Sequence, residues 1–286
     1  MGKLKTSFLF LISSISFFYS SLTAQPEMIL VEGGRFVMGC TPEQGGDCSS
    51  GEYPAHAVNV GSFHIGKYEV TQAQWQSVMG DNPSLFHGCG INCPVEMISW
   101  YSMIVFCNVL TLQQMGGSYR VYYKDAAMTQ PWSISDYYGG GETPAGAVYW
   151  NNTKNGYRLP TEAEWEFAAR GGNQSQGYKY AGSNVIGDVA WYAGYTTHQV
   201  GTKEPNELII YDMSGNVWES TWDRYLSTYY STQRVCDPQG PGSGSTCVLR
   251  GGSCLDYAIF CRVSNRSYTN PANRGYSLGF RLAHSL

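Results

Sequence analysis

A chain of 286 residues is long enough for one large domain or two small ones, and its formal charge of −4 excludes the basic surface that nucleic-acid-binding proteins need. Charged residues make up only 14%, whereas there are 34 Gly and 22 Tyr residues, which indicates many turns and aromatic packing rather than long salt-bridged helices. Because no linker, charge run or internal repeat divides residues 25–286, we expect a single domain there.

Residues 1–24 have the pattern of a signal peptide. Lys3 and Lys5 precede an apolar run over residues 8–18, and Leu22-Thr23-Ala24 follows as a candidate cleavage site. The run is too short for a transmembrane helix, and no later segment is longer or more apolar. We therefore expect an exported protein, whose final address is periplasmic, cell-surface or extracellular.

The nine cysteines fit an oxidising compartment. Three pairs flank short turns, which predicts local disulfides: Cys40 with Cys48, Cys89 with Cys93, and Cys236 with Cys247. Cys107 lies in an apolar helical pattern and is expected to be a buried free thiol. Cys254 and Cys261 remain, and their role depends on the family pattern discussed below.

The first predicted elements are strands. Residues 28–31 and 36–38 are apolar and are separated by Gly33-Gly34, which predicts a hairpin. Residues 58–65 alternate between apolar and polar side chains, which predicts a second set of strands.

Two helices follow these strands. Thr71 and Gln74 have the spacing of a capping box, and Gly80 is the expected end of this helix. A second helix is predicted within residues 95–112. Its apolar positions are expected to face inward: Trp100, Ile104, Cys107 and Val109.

The middle of the chain is less regular. Residues 113–156 are polar, aromatic and Gly-rich without clear periodicity, so we expect irregular structure with short strands. Thr161 and Glu164 form a second capping-box pattern, and Gly171-Gly172 is expected to stop that helix. The remainder of the chain is predicted to be rich in loops.

The segment from Asp212 to Glu219 is a candidate metal site. Two carboxylates bracket a Ser-Gly-Asn turn, which aims main-chain carbonyls and side-chain oxygens at one point, as a hard cation requires. The expected ligands are the carboxylates of Asp212 and Glu219 and the carbonyls of Gly215 and Val217. The alternative is an acidic surface turn beside a buried Trp218.

The order of several short motifs resembles the formylglycine-generating-enzyme (sulfatase-modifying-factor) family. The motifs are Val31 to Gly34, Tyr68 to Thr71, Pro94 to Glu96, Tyr157 to Arg170, Tyr211 to Glu219, Arg250 to Ser253 and Gly279 to Arg281. The resemblance implies an α+β fold: a variant of the C-type lectin fold with much irregular structure. It also implies structural calcium at Asp212, Gly215, Val217 and Glu219, which match one of the family's two metal sites.

Enzymes of that family oxidise a sulfatase cysteine to formylglycine with a cysteine pair that follows the Arg-Gly-Gly-Ser motif, and such thiolates hold copper(I) or exchange disulfides. In this chain the position of the second cysteine falls on Ala258, and Cys261 lies three residues later. We therefore expect no enzyme of this kind. The alternative is an oxidoreductase in which Cys254 and Cys261 act, with copper, despite the shift; a structural disulfide or two unpaired thiols is the simpler account.

Residues 254–277 carry a different signal. Framework residues of the family pattern alternate with clusters of unrelated side chains that contain no Lys, Glu, Gln, Met or Trp. Adenine-directed mutation of Asn-type codons cannot produce those residue types. The segment therefore resembles the variable region of proteins diversified by a diversity-generating retroelement, which place it at the C-terminus of a C-type lectin fold.

This resemblance implies a ligand-binding site for protein or glycan on a monomer. We name its residues the variable set: Leu255, Asp256, Ala258, Ile259, Phe260, Ser267, Tyr268, Thr269, Asn270, Ala272, Asn273, Gly275, Tyr276 and Ser277. Phe260, Tyr268 and Tyr276 would be rigid aromatic anchors. In the alternative, Phe260 and Tyr276 are core aromatics. A third functional class is a catalytically dead structural component of an export or motility machine.

Overall fold

The computed structural model describes residues 25–137, 146–232 and 235–286, and shows a mixed α/β fold with few helices and several small sheets. The strands are β1 (Met28–Val31), β2 (Gly34–Met38), β3 (His56–Val60), β4 (Phe63–Gly66), β5 (Tyr122–Tyr123), β6 (Tyr149–Trp150), β7 (Trp218–Arg224), β8 (Cys247–Arg250), β9 (Arg266–Thr269), β10 (Leu278–Gly279) and β11 (Ala283–Ser285). The helices are α1 (Gln72–Met79), α2 (Trp100–Gln114), α3 (Glu162–Ala169) and α4 (Ile186–Val189). The predicted signal peptide lies outside the described residues.

The two larger sheets have the strand orders β1-β4-β11 and β10-β7-β8-β9. The β7–β10 pair is parallel and the other pairs in these sheets are antiparallel. The first sheet therefore joins the beginning and the end of the described chain. The second sheet contains β9, which carries part of the variable set on an edge strand.

The predicted hairpin of the first two strands is wrong, although both strands exist. β1 pairs with β4, and β2 pairs with β3. Gly33 and Gly34 permit close approach rather than a reversal: a Cβ at Gly33 would lie 2.7 Å from the Val60 carbonyl oxygen, and one at Gly34 would lie 2.0 Å from Asn173 Oδ1. The chain therefore passes from one sheet to the next between these glycines.

Both capping boxes are confirmed. The Gln74 amide donates to Thr71 Oγ1 at 3.2 Å, the Thr71 amide donates back to Gln74 Oε1 at 3.0 Å, and α1 ends at Gly80 with a φ of +90°. The same reciprocal pair joins Thr161 and Glu164 at 3.1 and 2.8 Å. In the described part of the chain, no helix is long and apolar enough to cross a membrane.

Helix α2 begins at Trp100, later than expected, because Ser99 caps it by accepting from the Ser102 amide at 3.2 Å. Its first three turns are buried on every side, so the four predicted inward positions are in the core. Trp75 stacks on Phe106 with ring centroids 5.3 Å apart, which joins α1 to α2 in one hydrophobic cluster.

Two of the three predicted disulfides are present, Cys40–Cys48 and Cys89–Cys93. The third, Cys236 with Cys247, is wrong. Cys247 is buried in β8 and accepts from Arg224 Nη1 at 3.1 Å, whereas Cys236 is exposed and accepts from the side chain of Asn59 at 3.5 Å. Cys107 is a buried free thiol, as predicted.

Candidate functional site

Every member of the variable set is partly or fully exposed. The four largest apolar side chains have exposed fractions of 38% for Ile259, 41% for Phe260, 56% for Tyr268 and 49% for Tyr276. The alternative in which Phe260 and Tyr276 are core aromatics is therefore wrong. Contiguous apolar patches on monomeric proteins usually bind something, and these four side chains are candidates for such a patch.

The framework residues between these clusters are buried instead: Cys261, Arg262, Val263, Asn265, Arg266 and Pro271. Arg274 differs because it is partly exposed. The Arg262 guanidinium is fully buried and donates to both carboxylate oxygens of Glu52, at 2.8 and 2.9 Å. Its Nη2 also donates to the Asp47 carbonyl at 3.2 Å, so Arg262 ties the segment to the loop closed by the Cys40–Cys48 disulfide.

Arg266 is held in the same way from another element. Its Nε and Nη2 donate to Glu162 at the start of α3, at 2.8 and 2.7 Å. The guanidinium carbon lies 4.2 Å from the ring centroid of Tyr230 and 4.8 Å from that of Tyr225. The Tyr225 ring also contacts the exposed Tyr268 ring, with centroids 4.5 Å apart.

Arg250, the arginine of the Arg-Gly-Gly-Ser motif, holds the main chain of the framework. Its guanidinium donates to the carbonyls of Val263 at 3.0 Å and Ser264 at 2.8 Å, to the carbonyl of Asn265, and to the Glu166 carboxylate. The buried guanidiniums of Arg250, Arg262 and Arg266 therefore hold the main chain of residues 262–266 on its core side. The side chains of the neighbouring variable set are partly or fully exposed to solvent.

Both ends of the segment meet at the predicted metal turn. The Cys254 amide donates to the Asn216 carbonyl, and the Trp218 amide donates to the Ser277 carbonyl, both at 2.8 Å. Between these ends, residues 267–269 lie on edge strand β9, and Tyr276 packs edge-on against Phe86 with centroids 6.2 Å apart.

Two exposed tyrosines beside the variable set were not predicted. Tyr257 is 73% exposed, and Tyr195 is 92% exposed in a loop that is bonded to the segment. The Gly194 amide donates to the Cys254 carbonyl at 2.6 Å, and the Ala193 amide donates to the Asp256 carbonyl at 2.8 Å. Tyr257 could have been predicted as part of the site because it lies within residues 254–277. Nothing in the sequence around Tyr195 indicates that its loop bonds to this segment.

Cys254 and Cys261 are fully buried and unpaired. Burial raises the pKa of Cys254 to about 12 and also raises the pKa of Cys261, so both are protonated near neutral pH. Because the thiolate is the nucleophile and the metal ligand, this environment is that of inert structural cysteines.

The turn from Asp212 to Glu219 is buried rather than a surface turn. Asp212 Oδ2 accepts from the Gly201 amide at 2.7 Å, and Asp212 Oδ1 is buried without a hydrogen-bond partner. Glu219 accepts from Arg281 Nε at 2.6 Å and Nη2 at 2.5 Å, and from the Trp165 indole at 2.7 Å. A Cβ at Gly215 would lie 2.3 Å from the Trp191 carbonyl oxygen, so only glycine fits there.

A third carboxylate, missed in the sequence analysis, belongs to this cluster. Glu69 accepts from the Val217 amide at 3.0 Å and from the Asn216 side chain at 2.6 Å. Burial raises the pKa of Glu69, and the Asp212 and Glu219 charges raise it further. Burial, with a smaller contribution from Glu219, raises the pKa of Asp212 to about 6.

The residues fit a divalent cation in part. Three carboxylates face one guanidinium, so their ionised forms leave an excess of negative charge, and Asp212 Oδ1 is an unused acceptor. Within the described ranges, however, no group of three or more His, Cys, Asp or Glu side chains is arranged to hold a metal ion. A cation here would need main-chain carbonyls, as predicted for Gly215 and Val217.

Comparisons with known proteins agree with this architecture. Residues 17–286 match the sulfatase-modifying factor enzyme 1-like domain. The chaperone protein LppX of Paenibacillus barcinonensis is 40% identical over 236 residues, which cover 74% of this chain and 78% of that protein. The formylglycine-generating enzyme of Streptomyces coelicolor is 31% identical over 287 residues, which cover 90% of this chain and 88% of that enzyme.

Among solved structures, Treponema denticola variable protein 1 has a TM-score of 0.78 and 34% sequence identity, covering 91% of this chain and 95% of that chain. The chain belongs to the sulfatase-modifying factor enzyme 1-like family, so the predicted family resemblance is confirmed.

Proposed function

We propose that this protein binds ligands through a diversified surface, the variable set, on a scaffold that does not change. The observation that carries the proposal is the burial pattern of residues 254–277: every member of the variable set is partly or fully exposed, whereas the framework residues other than Arg274 are buried, and Arg262 and Arg266 form buried ion pairs. The similarity to Treponema denticola variable protein 1 supports the same conclusion.

The energetics of substitution explain why this pattern suits diversification. Changing a buried side chain costs about 1–5 kcal/mol, because cavities or overlaps result. Substitutions at exposed positions usually change the free energy of unfolding by about 0.5 kcal/mol or less. A region that varies freely must therefore project from a main chain that other residues hold, as Arg250, Arg262 and Arg266 do here.

The surface chemistry favours a protein or glycan ligand. Ile259, Phe260, Tyr268 and Tyr276 provide apolar area and rigid aromatic anchors, and the Ser, Thr and Asn members of the variable set provide adaptable hydrogen bonds. In this proposal the sequence variation comes from a diversity-generating retroelement. A near-identical template repeat and a reverse-transcriptase gene beside this gene would support that origin; their absence would contradict it.

A displayed library tests the proposal directly. Randomising the variable set should leave most members folded, and selection against a panel of unrelated purified proteins and glycans should recover specific binders. The matched control randomises the six buried framework positions, Cys261, Arg262, Val263, Asn265, Arg266 and Pro271, and should yield mostly unfolded chains, whereas a library of six variable positions should not. Equal folding in both libraries, or no binders from the first, would contradict the proposal.

The buried cysteines support the proposal over formylglycine-type catalysis. Raised pKa values at Cys254 and Cys261 disfavour both thiolate attack and copper(I) binding. We expect no conversion of a cysteine-containing sulfatase peptide, with or without copper, by mass spectrometry. Turnover that is lost in Cys261→Ser would restore the oxidoreductase alternative.

We also propose that calcium binds at the turn from Asp212 to Glu219 and has a structural role. Asp212 Oδ1 is available, and Asp212 and Glu219 with the carbonyls of Gly215 and Val217 would be its ligands. Because Asn216 and Trp218 contact both ends of the variable segment, an ordered turn would position the binding face.

A chaperone role is the second candidate function, favoured by the 40% identity to the chaperone protein LppX. Both candidate functions include export of the protein by the predicted signal peptide, residues 1–24. If the protein is a chaperone, it should suppress the aggregation of another exported protein from the same organism. The variant with Phe260→Ser and Tyr268→Ser should suppress that aggregation as well as the wild type does. A diversified binder should lose its selected ligand in that variant and have no effect on aggregation.

A further inference from the structure

A cavity of about 260 Å³ opens on another part of the surface. Its walls come from the end of β3 and the turn after it, from β6 and the residues after it, from the start of α3 and the residues before it, from β11 and from the loop at residues 237–239. The polar and aromatic groups that matter here are Ser62, Trp150, Asn152, Asp237, Gln239 and Ser285. No member of the variable set lines this cavity, so it is a separate feature of the surface.

The lining offers hydrogen bonds but no free positive charge. Arg158 is the one cation in the wall, and its Nη1 and Nη2 donate to the two carboxylate oxygens of Glu164, each at 2.7 Å. With that pair neutral, the Asp237 carboxylate gives the cavity a charge of about −1. An anionic ligand would be repelled, whereas neutral hydroxyl groups can donate to Asp237 and exchange hydrogen bonds with Asn152 and Gln239.

Asp237 is held in place before any ligand arrives. Its Oδ1 accepts from the Gly61 amide at 2.7 Å, and its own amide donates to the Asn59 carbonyl at 2.9 Å. The residue has a φ of +42°, in the left-handed region, which costs free energy for a residue other than glycine. A carboxylate fixed at a strained position loses little freedom when it binds.

A second cavity of about 310 Å³ shares Gln239 with the first. Trp150 lines the first cavity and Trp222 lines the second, and their rings meet edge to face with centroids 5.4 Å apart. Arg224 also lies in the wall of the second cavity, so the negative charge of Asp237 is local to the first cavity. Two neighbouring cavities that each contain an indole ring suit a ligand made of repeated small units with one apolar and one hydroxylated side.

We propose that these cavities bind a neutral carbohydrate: one sugar unit lies beside Asp237 and Trp150, and the next lies beside Trp222. Hydroxyl groups of the first unit donate to Asp237 and bond to Asn152 and Gln239, and its C–H face packs against Trp150. The site shares no residue with the variable set, so in this proposal the protein has a glycan site in addition to its diversified site.

Saturation-transfer NMR with purified full-length protein tests this site. The probes are glucose, galactose, mannose and N-acetylglucosamine, the matching β-linked disaccharides, anionic glucuronic acid and cationic glucosamine. At least one neutral probe should bind saturably, its disaccharide more tightly, and glucuronic acid more weakly than glucose. Binding of glucosamine alone, or of no neutral sugar, would overturn the proposal.

Asp237→Asn is the informative variant, because Asn tolerates the left-handed conformation and removes only the charge. It should weaken sugar binding about tenfold, since charge-assisted hydrogen bonds are about twice as strong as neutral ones. The matched control is Asp125→Asn in another loop, where the carboxylate also accepts from main-chain amides; this variant should bind like the wild type. Equal affinity in Asp237→Asn and wild type would contradict the assignment.

A second measurement does not depend on a substitution in the site. Of the five free cysteines among the described residues, Cys236 alone is exposed, and it precedes Asp237. A bulky maleimide on Cys236 should block the sugar, and saturating sugar should slow the labelling. Tyr268→Ser should leave both results unchanged; if it abolished sugar binding, the sugar would belong to the variable face and this proposal would fail.

Discussion

Two groups of side chains within residues 254–277 follow opposite rules. Arg262 and Arg266 are buried, and each forms a bidentate ion pair with one carboxylate from a distant part of the chain, Glu52 or Glu162. The variable set lies at the surface, where every member is partly or fully exposed. Buried ion pairs demand a particular partner, whereas exposed side chains do not. The difference shows how one segment can have a fixed main chain and a changeable surface.

The largest expected effect comes from breaking a buried pair. Arg262→Met leaves Glu52 buried without its guanidinium, and should lower the free energy of unfolding by about 3–5 kcal/mol. Urea denaturation measures this effect. Arg35→Met, at an exposed position on β2, is the matched control and should change stability by about 0.5 kcal/mol or less. Equal losses in both variants would show that the pair does not hold the segment.

Removing calcium tests the turn that joins both ends of the segment. Calcium at about 100 times its Kd should stabilise the wild type by about 2.7 kcal/mol, and a chelator should remove this gain. The melting temperature of Asp212→Asn should be the same with calcium and with chelator. In chelator this variant should be at least as stable as the wild type, because it no longer buries an ionisable carboxylate whose Oδ1 has no hydrogen-bond partner. Superimposable wild-type melting curves with and without calcium would refute the site.

The pH dependence of stability isolates Glu52. Burial alone would raise the pKa of Glu52, but hydrogen bonds from Arg262 and Ser264 outweigh it and hold the pKa below its ordinary value of 4.5. The ionised form therefore stabilises the fold above pH 4.5, and this contribution is lost as the pH falls further. Glu52→Gln should flatten the stability curve in that acid range; an unchanged slope would argue against the pair.

The smallest effects are expected at the surface. Ile259→Ser, Phe260→Ser, Tyr268→Ser and Tyr276→Ser should each cost about 1 kcal/mol or less in free energy of unfolding. Phe106→Ala in the core should cost about 3–5 kcal/mol and provides the comparison. A loss at Tyr268 as large as that at Phe106 would mean that the exposed face is part of the folding core and is not free to vary.

Local features of this protein could be read from its sequence. The capping boxes at Thr71 and Thr161 depend on residues three positions away, and the alternation of buried and exposed residues after Cys254 follows from the family pattern. These features depend on residues that are close in sequence, so the local sequence pattern is sufficient to predict them.

Long-range pairing could not be read in the same way. Glu69 bonds to Val217 across 148 positions of the chain, and nothing near Glu69 indicates that partner. β1 and β2 have hairpin-like sequences, but they pair with other strands because Gly33 and Gly34 allow close packing. Cys236 and Cys247 are near in sequence, yet one faces solvent and the other the core.

The ion pair between Arg262 and Glu52 also has a consequence for folding. Its partners are 210 positions apart, and loop closure over such a distance is slow. Glu52 cannot form this pair until Arg262, 210 positions later, has been synthesised. The binding face is therefore expected to become ordered last, after the scaffold has collapsed. Changes in the variable set would then have little influence on the folding rate, and new surfaces would reach the native state at a similar speed.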